Sequence, residues 1–215
     1  MALGSDPTVI PDFQINAALG PYGFESTEEL NDKIRTYIAL LLKWNRSISL
    51  TTVTEINQIL RFHFGESLFA RSILPLENGR LADVGSGAGF PGLALALAST
   101  SLKVTLVESN AKKFTFLNEV IRELRLKNAV ALRCRMEDVV GPDRHFDFIT
   151  SRALGQFSEL LRWSGRQLTS DGRNLLWLGL ADAQVVATEA TWNWNQPVMI
   201  PASEGRVILE GIPKR

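Results

Sequence analysis

Asp83-Val84-Gly85-Ser86-Gly87-Ala88-Gly89 sets an acid before three glycines at two-residue spacing, and Phe90-Pro91-Gly92 follows. Glycine lets a backbone turn sharply and lets a ligand come close to the main chain. A cluster of glycines also weakens local order unless something requires it, so a bound ligand is the better reading than an empty turn. Two ligands compete. Gly87-Ala88-Gly89-Phe90-Pro91-Gly92 satisfies G-x-G-x-x-G, the dinucleotide pattern, although a bare match of that kind is weak. Three features favour S-adenosylmethionine instead. Asp83 would repel a pyrophosphate but welcome an aminoacyl ammonium. Pro91 removes one N–H from a helix start that a pyrophosphate would use. Gly85, directly after the apolar run, puts the tight turn earlier than a dinucleotide site has it. Glu108 follows the next apolar run, where a carboxylate can accept both ribose hydroxyls; it suits either ligand.

Little other chemistry is on offer. A single cysteine, Cys134, excludes an internal disulfide and a Cys-rich zinc site, and it reads as a small core residue rather than a nucleophile. His63 and His145 have no second ligand at a familiar metal spacing, so no metal is expected. The 23 Lys and Arg balance the 23 Asp and Glu, so any nucleic-acid surface must be a local patch. No signal sequence opens the chain and no apolar run reaches the roughly 18 residues of a membrane span. A cytoplasmic protein and a monomer are the expectation.

The elements around the loop alternate. Leu81 to Val84, Val104 to Val107, Ala129 to Leu132, Phe146 to Ile149, Leu175 to Leu178 and Val207 to Leu209 read as strands. Pro91 to Ala98, Ala111 to Leu124 and Phe157 to Leu168 read as helices. This order predicts an α/β Rossmann-like fold, a mostly parallel seven-stranded sheet covered by helices on both faces. The loop sits between strand and helix, where open α/β sheets bind ligands. Upstream, Ser26 or Thr27 caps a helix carrying Leu30, Ile34, Tyr37, Ile38, Leu41 and Leu42 on one face. A second helix is expected from Thr54 to about Leu74. Residues before Gly23 read as a loosely held arm with at most a short helix. The expected organisation is an arm and helical extension over residues 1–79, packed on a methyltransferase core over residues 80–215.

Several segments together resemble the bacterial glucose-inhibited division protein B family, guanine-N7 methyltransferases of small-subunit (16S) ribosomal RNA. They are Tyr37 through Thr52, with Leu42-Lys43-Trp44-Asn45 and Ser49-Leu50-Thr51; His63-Phe64-Gly65-Glu66-Ser67; and Asp83 through Gly92. Val107-Glu108-Ser109 with Lys112-Lys113 and Phe116-Leu117, Arg135-Met136-Glu137, and Ser151-Arg152-Ala153 complete the pattern. The resemblance implies that Gly85 meets the cofactor by its backbone and Phe90 by its side chain. It implies that Met136 and Glu137 flank the adenine, that Arg152 is a binding-site arginine, and that His63 orders the junction between the N-terminal helices and the core. The chain departs at Trp177-Leu178-Gly179, with leucine where the family usually has lysine, which would remove one basic group near the substrate.

Guanine N7 has a free lone pair, so the expected mechanism has no general base, no covalent cysteine and no metal, and rests on positioning, with Arg152 as the positioning residue. The cofactor-binding set is Asp83, Gly85, Gly87, Phe90, Glu108, Met136, Glu137 and Arg152. The expected RNA patch is Lys112, Lys113, Arg122, Arg125 and Lys127, with Arg133 and Arg135 nearby. The partner would be 16S ribosomal RNA or the small ribosomal subunit. The rival readings are a methyltransferase of a small molecule or another RNA, and a cofactor-binding module without catalysis.

Overall fold

A computed structural model describes residues 9–139, 145–152, 155 and 157–215. Ala153, in one of the resembling segments, lies outside them. The core is a single sheet of β1 (Asn78–Val84), β2 (Ser101–Val107), β3 (Ala129–Leu132), β4 (Phe146–Arg152), β5 (Leu168–Gly179), β6 (Trp192–Trp194), β7 (Val198–Met199) and β8 (Arg206–Pro213). The strand order is β3-β2-β1-β4-β5-β8-β6, with β7 also on β8. Strands β3 to β5 in that order run parallel, and β8 is antiparallel to β5. Among the described residues the sheet has eight strands, where seven were expected and six had been placed along the chain. β6 and β7 are the two not placed: both lie on the edge of β8 that β5 leaves open, one at Gly211 to Pro213 and the other at Val207 and Ile208. They are too short to show a strand pattern in sequence.

Helices α5 (Gly92–Ala98) and α6 (Ala111–Glu123) follow β1 and β2, and α7 (Phe157–Gln167) and α8 (Leu180–Val186) flank β5. Asn110 starts α6 by accepting from the N–H groups of Lys112 and Lys113, as an N-cap should.

Residues 9–23 are not a loose arm. Asp12–Leu19 forms α1, and Ile15, Leu19 and Tyr22 are buried. Their three- and four-residue spacing makes one apolar face, which packs against the segment after Ile59. α2 (Glu28–Asn45) starts at Thr27, whose hydroxyl accepts from Leu30 N, and buries Ile34, Tyr37, Ile38 and Leu41. The second upstream helix changes pitch as it goes. α3 (Ile56–Gln58) opens on the Glu55 carboxylate, Ile59–Gly65 is a π-helix, α4 (Glu66–Leu68) returns to α geometry, and Phe69–Ser72 tightens to 3-10. Wide π turns concentrate at functional sites because they re-aim side chains and carbonyls. One apolar cluster runs from Ile10 through Phe64 and Leu93 to Ile208, so these helices and the sheet share a core. Among the described residues, no helix is long and apolar enough to cross a membrane.

Candidate active site

The glycine loop leaves β1 at the carboxyl edge of the sheet. Gly85, Gly87 and Gly89 all have positive φ, 69°, 55° and 89°, a conformation that side chains with a Cβ resist. Two of these glycines differ in what enforces them. A Cβ on Gly87 would meet little, so φ alone selects glycine there; one on Gly89 would strike the Tyr37 hydroxyl and Leu93. Tyr37 reaches the loop from α2 and donates to Ala88 O at 2.6 Å. Thus the N-terminal helices clamp the loop.

Asp83 is fully buried beneath the loop. Its Oδ1 accepts from Thr150 Oγ1 at 2.8 Å, across the β1–β4 pairing, and Oδ2 accepts from Gly92 N at 3.2 Å. Burial pushes its carboxyl up to about 6 against those hydrogen bonds. The carboxylate therefore ties the start of α5 to the sheet, and both its oxygens are engaged from within the fold. Gly92 makes this possible, since a Cβ there would come within 2.7 Å of Asp83 Oδ2.

Glu108 stands at the end of β2, nearly buried. Its Oε2 accepts from Gly87 N at 2.9 Å and its Oε1 from Asn110 N at 2.7 Å. Each carboxylate oxygen can accept more than once, so lone pairs remain for a diol. Met136 is buried next to Ala82, Val84 and Val107 in the second apolar cluster, and Glu137 is exposed beside it on a short 3-10 turn. Half-buried Cys134 packs on the same cluster.

The Phe90 ring is packed on both faces, at 5.0 Å from Tyr37 and 4.9 Å from His63, with Phe64 edge-on. Both ring faces are thus occupied by protein side chains. The ring joins the loop to α2 and the π-helix. His63 Nε2 lies 2.8 Å from Thr51 Oγ1, and burial, with the Arg152 charge, pushes the ring down to about 4. The imidazole is neutral at ordinary pH.

Arg152 ends β4 and turns toward the N-terminal helices. It donates to Phe62 O at 2.7 Å and lies 3.3 Å from Glu66 Oε2. Arg206, at the start of β8, lies 2.6 Å from Glu66 Oε1 and stacks on the Phe62 ring. Trp177 Nε1 donates to Glu66 O. Glu66, Arg152, Trp177, Leu178, Ile200 and Arg206 line a cleft of about 580 Å³. It lies beyond β4 and β5, on the opposite side of β1 from Glu108. Neither Glu66 nor Arg206 was picked out as a site residue from sequence. Arg206 is 54 residues from Arg152 in the chain and reaches it only because β8 runs antiparallel to β5. Leu178 lines this cleft, and Arg152 and Arg206 put two guanidinium groups into it.

The expected RNA patch is divided. Lys112 and Lys113 start α6 at the carboxyl edge of the sheet, as do Arg133 and Arg135 just past β3. Arg122, Arg125 and Lys127 lie at the far end of α6, whose 13 residues span about 20 Å. Arg122 pairs with Glu123 there. The seven cations cannot form one surface at the loop, because a helix returning along a parallel sheet carries its two ends to opposite edges.

A glycine loop after β1, an acid after β2 and this strand order define the class: an S-adenosylmethionine-dependent methyltransferase. Solved structures agree on the fold. An S-adenosylmethionine-dependent methyltransferase from Aquifex aeolicus superposes with a TM-score of 0.60 at 16% identity, covering 73% of this chain and 92% of that one. A MtNAS variant in complex with S-adenosylmethionine gives a TM-score of 0.63 at 12% identity, covering 86% and 78%. Residues 30–204 match the family model described as "GidB: rRNA small subunit methyltransferase G". The "Ribosomal RNA small subunit methyltransferase G" of Chromobacterium violaceum is 33% identical over 202 residues, which are 93% of this chain and 88% of that protein. The chain belongs to the rRNA small subunit methyltransferase G family.

Proposed function

We propose that this protein transfers a methyl group from S-adenosylmethionine to N7 of a guanosine in small-subunit (16S) ribosomal RNA. The match to the family model over residues 30–204 carries the reading. The loop supports it: its backbone is bare of side chains at Gly85 and Gly87, and Glu108 keeps lone pairs for the ribose hydroxyls. Bound there, S-adenosylmethionine supplies an electrophilic methyl on a sulfonium sulfur. Gly85 and Gly87 would hold it by backbone, Glu108 by the ribose, and Met136 and Glu137 beside the adenine. Asp83 and Phe90 act from beneath and behind the loop, holding its shape. Arg152 faces the acceptor cleft.

Guanine N7 needs no deprotonation before it attacks, so the chain has no proton to move. Its task is to align N7 with the methyl group and exclude competing water. Lys112 and Lys113, at the same edge of the sheet, are the proposed phosphate contacts, with Arg133 and Arg135 beside them. The target must be presented unpaired or flipped from its stack.

The test is transfer of labelled methyl to small ribosomal subunits from cells lacking the endogenous enzyme, with the product mapped by cleavage at 7-methylguanosine. One modified guanine N7 is expected. Tight donor binding with no methylation of the RNA would refute the acceptor assignment.

A further inference from the structure

Glu66 presents a problem that neither the fold nor the cofactor site explains. It has no solvent exposure, and burying a carboxylate is costly unless it is paired and hydrogen-bonded. Pairing is present, since Arg152 and Arg206 lie 3.3 and 2.6 Å from its two oxygens. Hydrogen bonding is incomplete: the Arg206 guanidinium, 2.6 Å from Oε1, is its one side-chain donor among the described residues, and it is poorly aligned. Among the described residues, neither Oε1 nor Oε2 has a hydrogen-bond partner in acceptable alignment. Arg206 Nε is also buried without a partner among those residues. Buried polar atoms left in this state call for a ligand or water, and Glu66 faces a cleft of about 580 Å³.

The two oxygens of a carboxylate match two adjacent N–H donors in one plane. Guanine has that pair at its Watson–Crick edge, N1–H and the N2 amino group. Adenine places an acceptor at N1 and would be repelled. We propose that Glu66 recognises the acceptor guanine by accepting from N1–H and N2–H, with Arg206 as the cover that the entering base displaces.

Three observations fit, given the N7 reading of the preceding subsection, on which this rests. The cleft lies on the side of β1 away from Glu108, where an acceptor would face the cofactor loop. Arg206 is 39% exposed and held to Phe62 by stacking, so it can move, whereas Arg152 is fastened to Phe62 O. A base held by its N1 and N2 edge leaves N7, across the ring, free to react. As the N7–methyl bond forms and the methyl–sulfur bond breaks with its electrons going to sulfur, the purine takes on the positive charge. A carboxylate at N1–H stabilises that charge where it develops.

The experiment compares small subunits reconstituted with RNA carrying guanosine or inosine at the mapped target. Inosine keeps N7 and N1–H but lacks the N2 amino group. Loss of one hydrogen bond to a charged acceptor should lower kcat/KM about ten- to a hundredfold in the unaltered enzyme. In Glu66→Gln one donor faces another at N2, so the preference for guanosine should shrink to within about threefold. Calorimetric affinity for S-adenosylhomocysteine should stay within about twofold, which separates base recognition from damage to the cofactor loop. Equal rates on guanosine and inosine with the unaltered enzyme overturn the proposal, and this arm needs no variant to fold. Equal slowing of both substrates by Glu66→Gln also overturns it, marking Glu66 as structural. No methylation of guanosine subunits by the unaltered enzyme refutes the N7 reading itself, and this proposal with it.

Discussion

Asp83 and His63 give the protein two buried titrations of opposite sign, and replacing one should expose the other. Asp83 is raised from 3.8 to about 6. The folded state therefore binds its proton more tightly than the unfolded chain, and its contribution to stability grows as pH falls from about 6 toward 3.8. His63 is lowered from 6.5 to about 4. Here the unfolded chain binds the proton more tightly, so stability is lost as pH falls over nearly the same window. At about 1.36 kcal/mol per decade, integration from pH 6.5 to 4.5 gives a gain of about 2 kcal/mol from Asp83 and a loss of about 2 kcal/mol from His63. In the native protein the two nearly cancel. Asp83→Asn should unmask the histidine, so that urea stability falls by about 2 kcal/mol more than in the native protein across that range. His63→Gln should unmask the carboxyl and reverse the slope. Urea titrations at half-unit pH intervals measure both against the same background of surface groups. If Asp83→Asn parallels the native curve, the carboxyl titrates as an ordinary aspartate, and the account of its burial under the loop is wrong.

Gly92→Ala should weaken S-adenosylhomocysteine binding in calorimetry and destabilise the fold by about 1–3 kcal/mol, since its Cβ would press on Asp83 and on Leu106. Arg152→Ala leaves the buried Glu66 with Arg206 alone; a loss of about 3–5 kcal/mol in chemical denaturation is expected, and Glu66→Gln in the same chain should recover much of it. Lys112→Ala with Lys113→Ala should weaken binding to small-subunit RNA and flatten its salt dependence by about 0.7 to 0.9 per charge removed. Arg122→Ala with Arg125→Ala, at the far end of α6, should leave the salt slope unchanged in the same filter-binding assay.

The strands and helices of the core were legible in sequence because their signals are local. Ala129 to Leu132 is a strand as predicted, and α6 ends within a residue of its expected limit. The short helix allowed before Gly23 is α1, but its docking on the core was not legible, because its buried residues, Ile15, Ala18 and Leu19, are few and lie between Pro11 and Gly20. Their helix is stabilised by burial against the π-helix, which no local pattern records. The π-helix itself was read as ordinary helix, since its spacing of apolar residues satisfies either pitch. The glycine loop and Glu108 were visible because backbone conformation and charge at a strand end leave marks within a few residues.

What sequence alone determined, then, was the candidate cofactor loop: three glycines at two-residue spacing, an acid before them and an acid after the next strand. What Asp83 and Phe90 pack against was decided by tertiary structure, which sets the first between Thr150 and Gly92 and the second between Tyr37 and His63. The cleft between Glu66, Arg152 and Arg206, proposed to take the acceptor, belongs wholly to tertiary structure. Glu66, Arg152 and Arg206 come from a helix and two non-neighbouring strands, and only strand order and the antiparallel run of β8 bring their charges within ion-pair distance.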